Sequence, residues 1–182
     1  MTTERLPDGC ALIPLTTHHD ERGSLTEIFR AEWPTCIRPV QWNFVRSRPN
    51  VLRGVHVHVE HDDYLVCLSG LMVLALVDIR PDSATHGLAA TVTLDPAAPR
   101  AAFIPTGVAH GFHFPVESSL CYSVSHYWNP RDELGCRWDD PALGLDWRID
   151  APELSERDRA AGSFQVMVDA FLDLADRHQA AR

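Results

Sequence analysis

The segment Val51–Gly70, VLRGVHVHVEHDDYLVCLSG, carries two histidines, His56 and His58, with one residue between them. On a strand such a pair points to one face. Asp63 follows after four residues, and Gly70 after six more. Further on, Pro105-Thr106-Gly107-Val108-Ala109-His110 reads Pro-x-Gly-x-x-His, a tight turn that returns a third histidine, His110, toward the first two. Imidazoles titrate near neutrality and can move protons. Three imidazoles and a carboxylate can equally hold a divalent transition metal. A nitrogen whose lone pair binds a metal cannot take a proton, so the two uses exclude each other at His56.

The elements that must position these residues read as mostly β. Leu25, Glu27 and Phe29 alternate with Ser24, Thr26 and Ile28, and Val40–Ser47 is rich in aromatic and β-branched residues. Leu71–Arg80 reads as a long buried strand, and Ala101–Pro105, Gly111–Val116 and Leu120–Trp128 as further strands. Turn residues separate them, at Arg48-Pro49-Asn50, Ser69-Gly70, Pro81-Asp82-Ser83, Asp95-Pro96 and Asn129-Pro130. Many short strands punctuated this way predict a sandwich or barrel, and a jelly roll is favoured. Phe164, Met167, Val168, Phe171, Leu172 and Ala175 then recur at helical spacing, which predicts an amphipathic C-terminal helix.

Length and composition narrow the function. One domain is expected over residues 1–182, with the barrel at 10–130 and the helix-bearing segment at 151–181. A net charge of -9 disfavours non-specific nucleic-acid binding. No run is long and apolar enough to span a membrane, and Met1–Gly9 is not of the signal-peptide type, so a cytoplasmic protein is expected. Five cysteines (Cys10, Cys36, Cys67, Cys121 and Cys136) form no CxxC pair and read as free thiols. Arginine is present but lysine is not, which excludes chemistry needing an ammonium side chain.

The two histidine clusters have the order and spacing of the two cupin motifs, with Asp63 where glutamate is usual. A narrower resemblance runs from Leu12 to Phe164. Asp20-Glu21-Arg22-Gly23 with Leu25 and Glu27, Gln41-Trp42-Asn43, Val51–His56, Val77-Asp78-Ile79-Arg80, Ala109-His110-Gly111-Phe112, Tyr122 with Tyr127, Pro130 with Glu133, and Trp138 with Leu154–Asp158 follow in sequence. Together they resemble the dTDP-4-dehydrorhamnose 3,5-epimerase family.

That resemblance implies an all-β cupin jelly-roll barrel, and an enzyme that moves protons beside the C4 ketone of a nucleoside-diphosphate 4-keto-6-deoxy sugar, inverting C3, C5 or both through an enolate. It implies His56 as base, Asp158 as its partner and Tyr122 as general acid. His110, Arg22, Arg53, Glu27, Gln41, Asn43 and Tyr127 become expected substrate contacts. A homodimer, a dTDP-sugar substrate and no cofactor follow in the same way.

One departure matters. The family carries a lysine thought to steady the enolate, and by alignment on Gly70 that place is Asp63, whose charge would repel an enolate. The rival reading is one divalent transition metal on His56, His58, Asp63 and His110. The metal-free epimerase leads because Tyr122 and Asp158 have no part in a metal site. A non-catalytic barrel that only binds a sugar nucleotide is the third reading.

Overall fold

The computed structural model describes residues 5–33 and 37–180; Cys36 lies outside them. Eleven longer strands and one short one are formed: β1 Ala11–Pro14, β2 Thr17–Asp20, β3 Gly23–Thr26, β4 Gln41–Ser47, β5 Val51–Val57, β6 Asp63–Ser69, β7 Met72–Asp78, β8 Ala89–Leu94, β9 Arg100–Ile104, β10 Val108–Phe114, β11 Ser118–Val124 and β12 Leu134–Gly135. A 3-10 turn at Pro141–Leu143 and two helices, α1 Glu156–Arg159 and α2 Phe164–Ala180, follow.

The strands form two antiparallel sheets, ordered β1-β9-β6-β11-β4 and β12-β5-β10-β7-β8, with β2 and β3 as a separate hairpin. The fold is all-β with a C-terminal helix, as the sequence predicts. The jelly-roll sheets face each other without closing into a hydrogen-bonded barrel.

Residue alternation explains the layering. On β6, Leu65 and Cys67 turn inward and join Leu74 and Leu76 of β7 between the sheets. Tyr64 and Val66 turn outward, where Phe29 and Trp33 pack on them. On β7, Ala75 and Val77 turn outward and meet Met167 and Phe171 of α2 and Trp147. Covering both faces of β7 is why Leu71–Arg80 is apolar throughout. The four described cysteines are free thiols, with Cys67 and Cys136 buried.

Two glycines shape the strands that carry the histidines. Gly54 has φ 113°, and a Cβ there would stand 2.8 Å from Gly111 Cα on the neighbouring β10. Opposite it the pairing slips, with His110 facing His56 but Phe112 facing Arg53. This bulge lets Arg53 and His56, three residues apart, line the same cavity. Gly107 has φ 76° in the Pro105-Thr106-Gly107 turn, and its N–H donates to His58 O at 3.0 Å. The two histidine motifs are therefore tied together by backbone.

Candidate active site

A cavity of about 660 Å³ opens between the sheets, a size suited to a small ligand. His56 and Arg53 of β5, His110 of β10, Asp63 of β6 and Tyr122 of β11 line it, with His58, His61 and Glu133 from connecting segments and Arg157 and Asp158 from α1. Five expected site residues behave differently. Arg22 is exposed on the β2–β3 hairpin and pairs with Asp20, outside this cavity. Glu27 lies just past the hairpin, pairs with Arg30 at 3.5 Å and is also outside. Gln41 donates to Asn43 Oδ1 at 3.0 Å; both share the inner face of β4 with Val45 but do not line the cavity. Tyr127 stands beyond the end of β11 and is 67% exposed, because that strand stops at Val124; Trp128 lines the cavity in its place.

His56 Nε2 lies 2.7 Å from Asp158 Oδ1. Local sequence explains the aim of that carboxylate. Ser155 caps α1, accepting from the Asp158 N–H at 3.1 Å while donating its hydroxyl to Asp158 Oδ2 at 2.8 Å. One carboxylate oxygen is thus held by the cap and the other faces the imidazole. Burial works against the Asp158 charge, but the His56 hydrogen bond and the attraction of His56, with Ser155 and Arg157, hold its carboxyl below the usual range. It is therefore ionised and accepts Nε2–H, leaving the lone pair on Nδ1. Gly135 of β12 backs the ring; a Cβ there would stand 3.0 Å from His56 Cδ2. Arg157 lies against the imidazole, Nη2 2.6 Å from Nε2 and 3.2 Å from Nδ1, and donates to Glu133 Oε2 at 2.8 Å.

Tyr122 reaches in from the facing sheet. Burial, then the charges of Asp63 and Glu133, push its phenol up, so it stays protonated.

Deeper in, three imidazoles surround one carboxylate oxygen. Asp63 Oδ2 is 3.9 Å from His58 Nε2, 3.8 Å from His61 Nε2 and 3.7 Å from His110 Nε2. His110 Nδ1 donates to Val108 O at 3.0 Å, and His58 Nδ1 to Asp132 O at 3.2 Å. Burial lowers both pKa values, that of His110 to about 4 and that of His58 well below normal, reinforced by neighbouring histidines. Both rings are therefore neutral and present bare Nε2 lone pairs. His110 can accept from a sugar hydroxyl, but it has no proton to offer an enolate oxygen. His61 stacks on His58 with centroids 3.9 Å apart. Burial opposes its charge, yet Asp132, Asp63 and Glu133 together raise its pKa. Burial also pushes Asp63 up to about 7. The four residues of the rival metal reading are thus divided: His56 goes to Asp158, while His58, Asp63 and His110 converge.

The exposed arginines Arg46, Arg48, Arg53 and Arg157 rim the opening. Guanidinium forks suit phosphate oxygens. Arg157, His61 and Asp132 were not singled out as site residues from sequence. Arg157 adjoins Asp158, and His61 extends the His56–His58 run. Asp132 is buried in the Asn129–Glu133 turn, where its carboxylate accepts from Val59 N at 2.6 Å and Glu60 N at 3.0 Å.

A sequence model described as dTDP-4-dehydrorhamnose 3,5-epimerase matches residues 5–165. The chain belongs to the dTDP-4-dehydrorhamnose 3,5-epimerase family. A Mycobacterium tuberculosis dTDP-4-dehydrorhamnose 3,5-epimerase is 36% identical over 162 residues, 82% of this chain and 80% of that protein. The solved M. tuberculosis RmlC epimerase superposes with a TM-score of 0.85 at 31% identity, over 97% of each chain. The Legionella pneumophila RmlC, solved with dTDP-4-keto-L-rhamnose, gives 0.83 at 31% identity, over 90% of this chain and 92% of that one. These epimerases share the two-sheet architecture that brings His56 and Tyr122 to one cavity.

Proposed function

We propose that this isomerase inverts C3, C5 or both of a dTDP-linked 4-keto-6-deoxy sugar, in deoxysugar biosynthesis, with His56 as base and Tyr122 as acid. The observation that carries the reading is the 2.7 Å His56–Asp158 pair on one sheet, with a protonated tyrosine on the other.

The C4 ketone acidifies the adjoining C–H bonds. His56 takes the proton, and Asp158 steadies the imidazolium that forms. Tyr122 returns a proton to the opposite face of the enolate, which inverts the carbon. Nothing in this step asks His56 to hold a metal. Arg53, anchored by Nε to Ser47 Oγ at 3.2 Å, is the donor on hand for the developing oxyanion, since neutral His110 cannot donate. The arginine rim takes the diphosphate.

One cupin domain spanning residues 1–182 suffices for this chemistry. We infer a homodimer, because β4 is a sheet edge with Trp42 and Phe44 exposed beside it and edges need cover. Sugar-nucleotide supply places the protein in the cytoplasm; among the described residues no helix is long and apolar enough to cross a membrane. Incubation with dTDP-4-keto-6-deoxyglucose in deuterated water tests the reading, with NMR resolving C3 from C5. Label at either carbon supports it. Folded protein that leaves both carbons unlabelled binds without catalysing, or acts on another substrate.

A further inference from the structure

Asp158 accepts the Nε2–H of His56, so the lone pair that can take a proton belongs to Nδ1. That lone pair is not free in this structure. Arg157 Nη2 stands 3.2 Å from Nδ1, within reach to donate to it, and 2.6 Å from Nε2. A guanidinium keeps its protons, so it meets the lone pair only as a donor. A nitrogen that accepts this N–H cannot accept a carbon-bound proton at the same time. His56 is thus a base under a cover. The cover is held on one side and open on the other. Arg157 Nη1 donates to Glu133 Oε2 at 2.8 Å, and Nε lies 3.6 Å from Asp158 Oδ1. Glu133 is largely buried, but the Arg157 side chain is 52% exposed. An ion pair so exposed holds weakly, and a stronger anion can draw the guanidinium off. Arg157 also lies on the arginine rim, where a diphosphate would offer paired, fully charged oxygens to its fork. The other rim arginines have different partners: Arg53 Nε donates to Ser47, Arg48 pairs with Glu153, and Arg46 lies over the Phe44 ring.

We propose that Arg157 is a specificity-determining latch: it covers Nδ1 of His56 until the diphosphate of the substrate draws it away, so that the base meets only a sugar that carries a nucleoside diphosphate. The latch rests on the epimerase reading and adds to it a reason for the charged handle. The diphosphate takes no part in the proton transfer, yet its binding is converted into reactivity at the sugar ring. A 4-keto sugar without the handle fits the cavity but finds the lone pair occupied.

The full-length protein is incubated in deuterated water with the methyl glycoside of 4-keto-6-deoxyglucose, which carries no phosphate, and NMR follows label beside the ketone. Labelling should be slow. Millimolar inorganic pyrophosphate should speed it roughly 10- to 150-fold, the range for removing one hydrogen bond to a charged group. Arg157→Ala, shown by circular dichroism to be folded, should label the glycoside at the faster rate without pyrophosphate and gain nothing from its addition. The same variant should show a higher KM for dTDP-4-keto-6-deoxyglucose, since one phosphate contact is gone. Three results would each overturn the latch: no pyrophosphate effect on the native protein, equal acceleration of native and variant proteins, or glycoside labelling by folded Arg157→Ala no faster than by the native protein. Native protein with dTDP-4-keto-6-deoxyglucose is the control. If that sugar is labelled and pyrophosphate does nothing for the glycoside, the latch alone fails. If that sugar stays unlabelled, the epimerase reading fails and the latch falls with it.

Discussion

Replacing Asp158 with asparagine keeps the size of the side chain and removes its charge. In the native structure Oδ1 lies 2.7 Å from His56 Nε2, and Oδ2 accepts from the Ser155 hydroxyl. The carboxylate matters most when His56 has gained a proton, because only then does it face a full positive charge. A hydrogen bond to a charged group contributes about 1.5–3 kcal/mol net, so the asparagine should slow proton abstraction roughly 10- to 150-fold. Ser155 continues to cap α1, and the fold should hold. The assay is the initial rate of deuterium incorporation into the sugar at saturating dTDP-4-keto-6-deoxyglucose, followed by NMR. Removing the base itself should cost more, roughly 10²–10⁴-fold. A folded Asp158→Asn protein that labels its substrate at the native rate would refute the claim that Asp158 stabilises the protonated base.

Tyr122→Phe should abolish inversion while His56-dependent labelling with retained configuration continues, a distinction read from NMR coupling constants. Gly135→Ala should press on His56 Cδ2, 3.0 Å from the new Cβ, and lower the labelling rate without shifting the thermal midpoint greatly. Asp78, fully buried, accepts from Arg80 Nε at 2.9 Å and from the Ser83 and Thr85 hydroxyls at 2.6 Å each. Burial opposes its charge, but these donors outweigh it and hold its carboxyl well below the usual range. The stabilisation is complete above the unfolded value of about 3.9 and is lost as pH falls further toward the folded one. Asp78→Asn should cost about 2–4 kcal/mol at neutral pH by urea denaturation and flatten the acid-side loss of stability.

The strands that alternate or run apolar were legible: Val40–Ser47, Leu71–Arg80 and Leu120 onward all form strands close to where the pattern places them. The pairing of His56 with Asp158 was reached only through the family resemblance, because no local pattern joins positions 102 residues apart. Alternation alone would put Arg53 and His56 on opposite faces; the bulge at Gly54 defeats that rule. Arg22, Glu27 and Tyr127 sit in family-like blocks, yet short strands end before they reach the cavity. Arg157 and Asp132 sit in turn and cap segments, which carry no periodicity to show where side chains point. The convergence of His58, Asp63 and His110 was visible as spacing, whereas the carboxylate that faces His56 comes from α1, which no spacing around His56 announces.

The most direct test compares the native protein with His56→Asn in deuterated water, each at the same concentration with dTDP-4-keto-6-deoxyglucose. The native protein should place label at C3, C5 or both. His56→Asn, shown by circular dichroism to be folded, should do so roughly 10²–10⁴ times more slowly. Equal labelling rates for the two proteins would contradict the assignment of His56 as the base.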